Sequence, residues 1–369
     1  MSSPPVRVEE LTTSTAFRAL AHPWSSIAQR NGQRGPFFQP GWLAITARAL
    51  ESPPRQPFVL AAHRAGQPLA LLPLLRERRT IGSIPLQVYR SLSDDHSQRF
   101  DLVAAENPAI DALAHHLAAD RRWNVLELRD LPPAAAAEQI VAWFEQRGWP
   151  IGSWPSQRSP YLRLPVSHAE FVAHQPAKFR ANLRRRRRSL IEQEGPIALE
   201  RITGGRLLDR ALEDGFALEA AGWKGRLGTA IAGDPKRRAR YRAIAHWAAH
   251  RRELSLHFLR VGERRVGFHF ALEVEGCYYL FKPAYEERLA RFGIGHLMMD
   301  EVVQSLIARR LHTVDLLGDR MEWKQPWTTD EQAHRWVHIF RPTPIGKALA
   351  AWKYQLVPWV GALWRRVAA

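Results

Sequence analysis

Two stretches of the chain repeat one pattern of apolar and polar positions. Residues 58–74, FVLAAHRAGQPLALLPL, and 254–270, LSLHFLRVGERRVGFHF, each run apolar, reach an arginine (Arg64, Arg260), turn at a glycine (Gly66, Gly262) and run apolar again. Short apolar runs broken by a glycine turn predict β-hairpins. A helical pattern follows each hairpin, PAIDALAHHLAAD at 108–120 and GHLMMDEVVQSLIARR at 295–310. A strand pattern follows each helix, WNVLELRDL at 123–131 and HTVDLLGD at 312–319. The same order of elements, offset by about half the chain, predicts tandem copies of one α/β domain. The expected division is 1–160, 161–345, and a basic, tryptophan-rich helical tail at 346–369.

Between the copies the pattern turns helical. Ser167 and Glu170 form a capping box, the Ser side chain accepting from a free N–H and the Glu reaching back. Pro176 suits the start of the next helix. Phe179, Leu183, Leu190 and Ile191 then fall near one face, and Gly195 suits a left-handed end. Five consecutive arginines, Arg184 to Arg188, therefore belong to an amphipathic helix, with Arg186 and Arg187 nearest its apolar stripe. Further helices are predicted over about 206–221 and, capped by Asp234 with Pro235 at its first position, to about 251.

Composition refines this picture. At 369 residues and 42.1 kDa the chain has room for two cores. A net charge of +17 favours anionic partners. Only seven of the 53 basic residues are lysine, so part of that excess is a general preference for arginine. The lone Cys277 excludes an intrachain disulfide and suits a reducing compartment. The N-terminus has no apolar segment of the signal-peptide kind, and no apolar run approaches the ~20 residues of a membrane span. The expectation is a cytoplasmic protein. His246 and His250 stand four apart but lack the glutamate of a HExxH zinc helix, so no metal is expected.

Chemistry concentrates in the second half. Gly293 and Gly295 precede a helix, which allows close backbone approach to a pyrophosphate at the helix N-terminus. A dinucleotide fingerprint would need a third glycine at Met298 and fails. In a chain that chooses arginine, Lys224, Lys282 and Lys324 each directly follow an aromatic residue, and an ammonium is a compact point charge where guanidinium is a planar fork.

Together, NLRRRRRSL at 182–190, GWKGRLGTAI at 222–231, FKPAYEERLARFGIGHLMM at 281–299 and DLLGDRMEWKQPW at 315–327 resemble the CelD-type acetyltransferases of the GNAT superfamily. These are associated with cellulose or exopolysaccharide biosynthesis, and are similar to the FemAB aminoacyl transferases with their tandem GNAT-like folds. The resemblance covers 165–330 best; FFQPGWLAI and DDHSQRFDL extend it into the first half. It implies a mixed α/β fold with a splayed sheet, and acyl-CoA without metal at the strand-to-helix turn, which by position is Phe281, Lys282, Arg291, Gly293, Ile294, Gly295 and His296. The superfamily's turn opens with Gln or Arg, where this chain has Ala290; Arg288 or Arg291 would have to replace that cation. The first copy lacks the glycine pair and is expected not to bind a donor.

The activity so implied is N-acyl transfer to a small or sugar-linked amine. The amine attacks the thioester directly and must lose a proton. Glu286 and Asp319 are the candidate bases, Tyr285 the candidate acid for the thiolate, and Lys324 a candidate for stabilising developing charge. Trp223, Lys224, Trp323 and Trp327 would line the acceptor pocket, with Arg186 and Arg187 gripping an acidic group. The alternatives are an aminoacyl-tRNA-dependent ligase, and a non-catalytic module of a polysaccharide synthase. The tail at 346–369 would either dock on the protein or lie on a membrane surface.

Overall fold

A computed structural model describes residues 4–12, 19–33, 35–81 and 84–356; the side chains at 223, 224, 355 and 356 are not described. The chain divides into two compact units, Met1–Gln157 with Ala333–Ala369, and Arg158–Gln332.

The first unit opens with β1 (Arg7–Leu11), α1 (Ala21–Arg30) and α2 (Pro40–Leu50). The hairpin β2 (Gln56–Arg64) and β3 (Gln67–Ile81) follows, then β4 (Ile84–Ser91) and the short β5 (Val103–Ala104). Next come α3 (Asn107–Ala119), β6 (Val125–Leu131), α4 (Glu138–Glu145) and β7 (Ile151–Arg163), within which the chain passes into the second unit. Ala65 and Gly66 join β2 to β3 with φ of 50° and 80°, the backbone that a two-residue hairpin needs. β1 to β4 pair antiparallel in order, and β4 pairs parallel with β6. Leu113, Leu117, Trp123 and Phe144 close the core on this sheet.

The second unit repeats that plan. Two helices come first, α5 (His168–His174) and α6 (Ala177–Glu194), with Ser167 accepting from the Glu170 amide as its sequence predicts. β8 (Ile197–Ile202), α7 (Leu208–Ala221), α8 (Trp223–Arg226) and α9 (Pro235–His250) follow, the last capped by Asp234. Then come β9 (Leu254–Val261), β10 (Arg264–Val274), β11 (Cys277–Tyr285), α10 (Ile294–Ala308) and β12 (Thr313–Asp315). β8 to β11 pair antiparallel in order and β11 pairs parallel with β12. The strand order and senses match those of β1 to β6, so the chain is a tandem GNAT-like α/β fold. The apolar face of α10 (Leu297, Met298, Val302, Leu306) packs on this sheet.

β13 (Glu331–Phe340) carries the chain back to the first unit, where it pairs antiparallel with β6. In the second unit the end of β7 takes the equivalent place, antiparallel to β12. The second unit therefore ends at Gln332, short of the expected 345. Of the expected tail, α11 (Pro344–Ala351) and the turn Trp352–Leu356 dock on the first unit. Leu349 packs with Leu86, Val88 and Phe340, and Tyr354 Oη lies 2.6 Å from His338 Nδ1. Trp359 and Trp364 lie outside the described residues. No helix of the described residues is long and apolar enough to cross a membrane.

One buried cluster carries a pH consequence. His257, on the sheet face under α10, is fully buried; Tyr278 Oη stands 3.3 Å from its Nδ1 and 3.3 Å from His269 Nδ1. Burial holds the His257 imidazole well below its ordinary pKa. Below about pH 6.5 the unfolded chain binds a proton that the native state refuses, so stability falls with pH at up to about 1.4 kcal/mol per unit. Denaturant unfolding at pH 7.5 and 5.0 should show that loss, and a His257→Leu variant should show less of it.

Candidate active site

The site begins as an irregularity in β11. On β10, Phe270 faces Lys282 while its neighbour Ala271 faces Leu280, so Phe281 is an extra residue on β11. β11 pairs with β12 only through Cys277 to Tyr279, because β12 stops at Asp315. Leu280 to Tyr285 thus run on beyond β12, and the two strands part there. The matching β3–β4 ladder of the first unit keeps its register from end to end.

A 3-10 turn, Glu287–Phe292, then leads to Gly293, whose φ of 65° is left-handed, and α10 starts at the next residue. The first-turn amides of a helix have no intrahelical acceptor, and the dipole makes that end positive. The corresponding helix of the first unit, α3, has Glu106 at its N-cap and Pro108 in its first turn. The Glu106 side chain does not cap the helix and is paired with Arg64, and Pro108 has no amide N–H to offer.

The basic helix α6 reaches the glycine turn. A Cβ built on Gly293 would stand 2.6 Å from Arg186 Nη1 and 3.1 Å from its Cδ. Gly293 is required by its φ, and a Cβ there would also push the Arg186 guanidinium aside. A Cβ on Gly295 would meet only the Tyr285 ring at 3.5 Å, an ordinary contact. The sequence leaves Arg288 or Arg291 to replace the cation absent at Ala290; the structure instead brings Arg186. Arg288 is held by Glu286, and Arg291 by Gln193 at 3.2 Å.

Arg187 points elsewhere. It pairs with Asp300 at 3.0 Å and with Glu301, both on α10, and so fastens α6 to the helix it serves. Two carboxylates thus pair with the arginine that the sequence reading gives to an acidic substrate group. Asp300 and Glu301 escaped the sequence reading, although DE after the apolar HLMM was the available signal. Arg184, Arg185 and Arg188 face solvent.

His296, in the first turn of α10, accepts a hydrogen bond at Nδ1 from the Trp327 indole N–H at 3.1 Å. Burial, and then the charge of Arg186, hold its imidazole below the ordinary pKa. Trp327 is only 4% exposed and lies between Phe171, at 6.3 Å, and Phe179, at 5.1 Å.

The other expected site residues separate. Lys324 is 4% exposed. Its ammonium donates to the carbonyls of Leu317 and Asp319, the latter at 2.8 Å. This brace explains why the strand expected over 312–319 ends at Asp315: Leu317 and Gly318 take φ of 47° and 60°. The ammonium, which the sequence reading gives to a reacting centre, here braces the loop. Asp319 Oδ1 accepts from the amides of Arg158 and Arg320, at 3.1 and 2.8 Å. Glu286 bonds Arg288, so both expected bases are engaged. The Tyr285 ring lies over the first turn of α10. Phe281 meets Phe270 edge-on, and the Lys282 ammonium stands 5.6 Å from the Tyr241 ring. Trp323 packs on the core beside Lys324. The side chains of Trp223 and Lys224 lie outside the described residues.

Comparison with known proteins agrees with this geometry. Residues 177–325 match the sequence model of the acetyltransferase (GNAT) domain family. No curated protein matches the sequence. Among solved structures, FemX is 10% identical, with a TM-score of 0.56 over 93% of this chain and 100% of its own. L-PGS from Bacillus licheniformis is 11% identical, with a TM-score of 0.51 over 92% of this chain and 95% of its own. A conserved protein of unknown function from Bacteroides thetaiotaomicron is 12% identical, with a TM-score of 0.51 over 91% and 99%. At such identities the likeness is one of fold. Residues 177–325 thus match the GNAT acetyltransferase domain model, and the chain has a tandem GNAT-like fold.

Proposed function

We propose that the second unit transfers an acyl group from acyl-CoA to an amine. The observation that carries this reading is Arg186 lying over Gly293 at the start of α10, directly after a bulged strand that has parted from its neighbour. The residues fit the donor. Phosphate oxygens would take the first-turn amides of Ile294 and Gly295 and the Arg186 guanidinium. The acyl arm would run along Leu280 to Tyr285, whose main chain lies beyond the end of β12. The neutral His296 beside Trp327 would shield that end from water. The Tyr285 ring, over the first turn of α10, would flank the phosphates there. In the first unit, Pro108 removes one of the first-turn amides that a donor would use. The motifs at 182–195, 222–231 and 281–299 favour the CelD type within the superfamily, with its association with exopolysaccharide biosynthesis.

Calorimetric titration with acetyl-CoA tests the reading. The intact chain should bind it, and Arg186→Gln should weaken binding about 10- to 100-fold, the worth of a charge-assisted hydrogen bond to phosphate. An unchanged affinity in a folded Arg186→Gln protein would remove the arginine from the donor site. FemX and L-PGS share the fold, and aminoacyl transfer from tRNA is the rival reading; the exposed Arg184, Arg185 and Arg188 favour it. Binding of tRNA that weakens steeply with salt, with no binding of acetyl-CoA, would select the rival.

A further inference from the structure

A cleft of about 630 Å³ opens in the second unit between the end of β7, the α5–α6 junction and residues 325–330. That volume is in the range of small-molecule sites. Its floor is apolar, formed by the buried Leu162, Phe171 and Trp327. Trp327 is also the residue bonded to His296 at the donor turn, so cleft and turn share one wall.

The rim is polar and carries both signs of charge. Arg163 and Asp330 are 78% and 54% exposed and approach each other only to 3.9 Å, so each keeps capacity for a ligand. His174 completes the rim. Its Nδ1 lies 2.8 Å from the Glu170 carbonyl oxygen. A carbonyl only accepts, so in the neutral imidazole Nδ1 holds the proton and Nε2 keeps its lone pair. The hydrogen bond thus leaves Nε2 of a cleft-lining histidine able to act as a base.

We propose that this cleft is the acceptor site, that it takes an amine bearing a carboxylate, and that His174 is the base. The inference rests on the acyl-CoA reading above. The ammonium end of such a zwitterion suits Asp330 and its carboxylate suits Arg163. A polycation is disfavoured by a chain of net charge +17, and an amino sugar offers no carboxylate to Arg163. In the reaction the amine nitrogen attacks the thioester carbonyl carbon and its proton passes to His174 Nε2. The C–S bond breaks, the thiolate takes a proton from solvent, and His174 returns its own to solvent. The products are the amide and the CoA thiol. Sequence reading missed His174 because nothing in HAEFVAH marks it; its role comes from the cleft and from its helix carbonyl.

The test uses the full chain with L-lysine, glucosamine and spermidine as probes, read by ligand-observed NMR, with acetyl-CoA titrated separately. L-lysine should bind and the other two should bind at least tenfold more weakly. Arg163→Ala should weaken lysine at least tenfold without changing acetyl-CoA affinity. His174→Gln should keep lysine affinity and lower acetyl transfer to lysine at least 100-fold. Preferred binding of glucosamine or spermidine, indifference to Arg163→Ala, or full turnover in His174→Gln would each overturn the proposal. Absence of acetyl transfer to lysine in the wild-type chain would overturn it too. Acetyl-CoA binding without lysine binding refutes the cleft alone; lysine binding without acetyl-CoA binding refutes the donor reading.

Discussion

Lys324→Ala should lower the unfolding free energy by about 3 kcal/mol, the cost of stranding buried partners of a charged group. The side chain is buried, and its ammonium holds the carbonyls of Leu317 and Asp319. Leu317 stands at a φ of 47°, a conformation that a leucine keeps only when its surroundings impose it. Removing the ammonium leaves two carbonyls without their donor and frees the loop. The pH dependence has a definite sign. Burial pulls the Lys324 pKa down to about 8, below its ordinary 10.5. Between these values the unfolded chain binds the proton more tightly, so wild-type stability gains from this group as pH rises from 8 to 10.5. The variant should lack that gain. Urea unfolding at pH 7.5 and 10 measures both effects. An unchanged midpoint with lost turnover would return Lys324 to the chemistry.

Gly293→Val should weaken acetyl-CoA binding at least thirtyfold, the equivalent of about 2 kcal/mol. Valine is poorly tolerated at a φ of 65°, at a cost of about 1–3 kcal/mol. Its Cβ would also fall 2.6 Å from Arg186 Nη1, so the guanidinium must shift from its place over the turn. Gly295→Ala serves as the control: its Cβ would meet the Tyr285 ring at 3.5 Å, so affinity should change less than about threefold. Adding Arg186→Ala to Gly293→Val should recover stability by removing the clash without recovering affinity. Recovery of both would mean that the arginine obstructs the donor.

The repeated fold was legible because it rests on local periodicity. Each hairpin, helix and strand of the two copies is an apolar run of the right length, and the order repeats. The path of β7 and β13 was not legible. Nothing in IGSWPSQRSPYLR or EQAHRWVHIF says which neighbour a strand will choose, since pairing is decided by long-range contacts. The same limit divided the candidate site. Gly293 was readable because its conformation is a property of the residue itself. Arg186 and Arg187 are adjacent and chemically identical, yet one lies on the glycine turn and the other on Asp300. Only the packing of α6 on α10 separates them. Lys324 looked catalytic because a lysine is rare in this chain, but a buried ammonium serving carbonyls has the same sequence signature.

The central claim is that the second unit alone receives the donor, at the turn where Arg186 meets Gly293. Hydrogen–deuterium exchange of the intact chain, with and without acetyl-CoA, tests it most directly. The predicted result is ligand-dependent protection at residues 281–297 and 183–190, and none at 91–108 in the first unit. Protection at 91–108, or unchanged exchange at 281–297 with acetyl-CoA in excess, would contradict it.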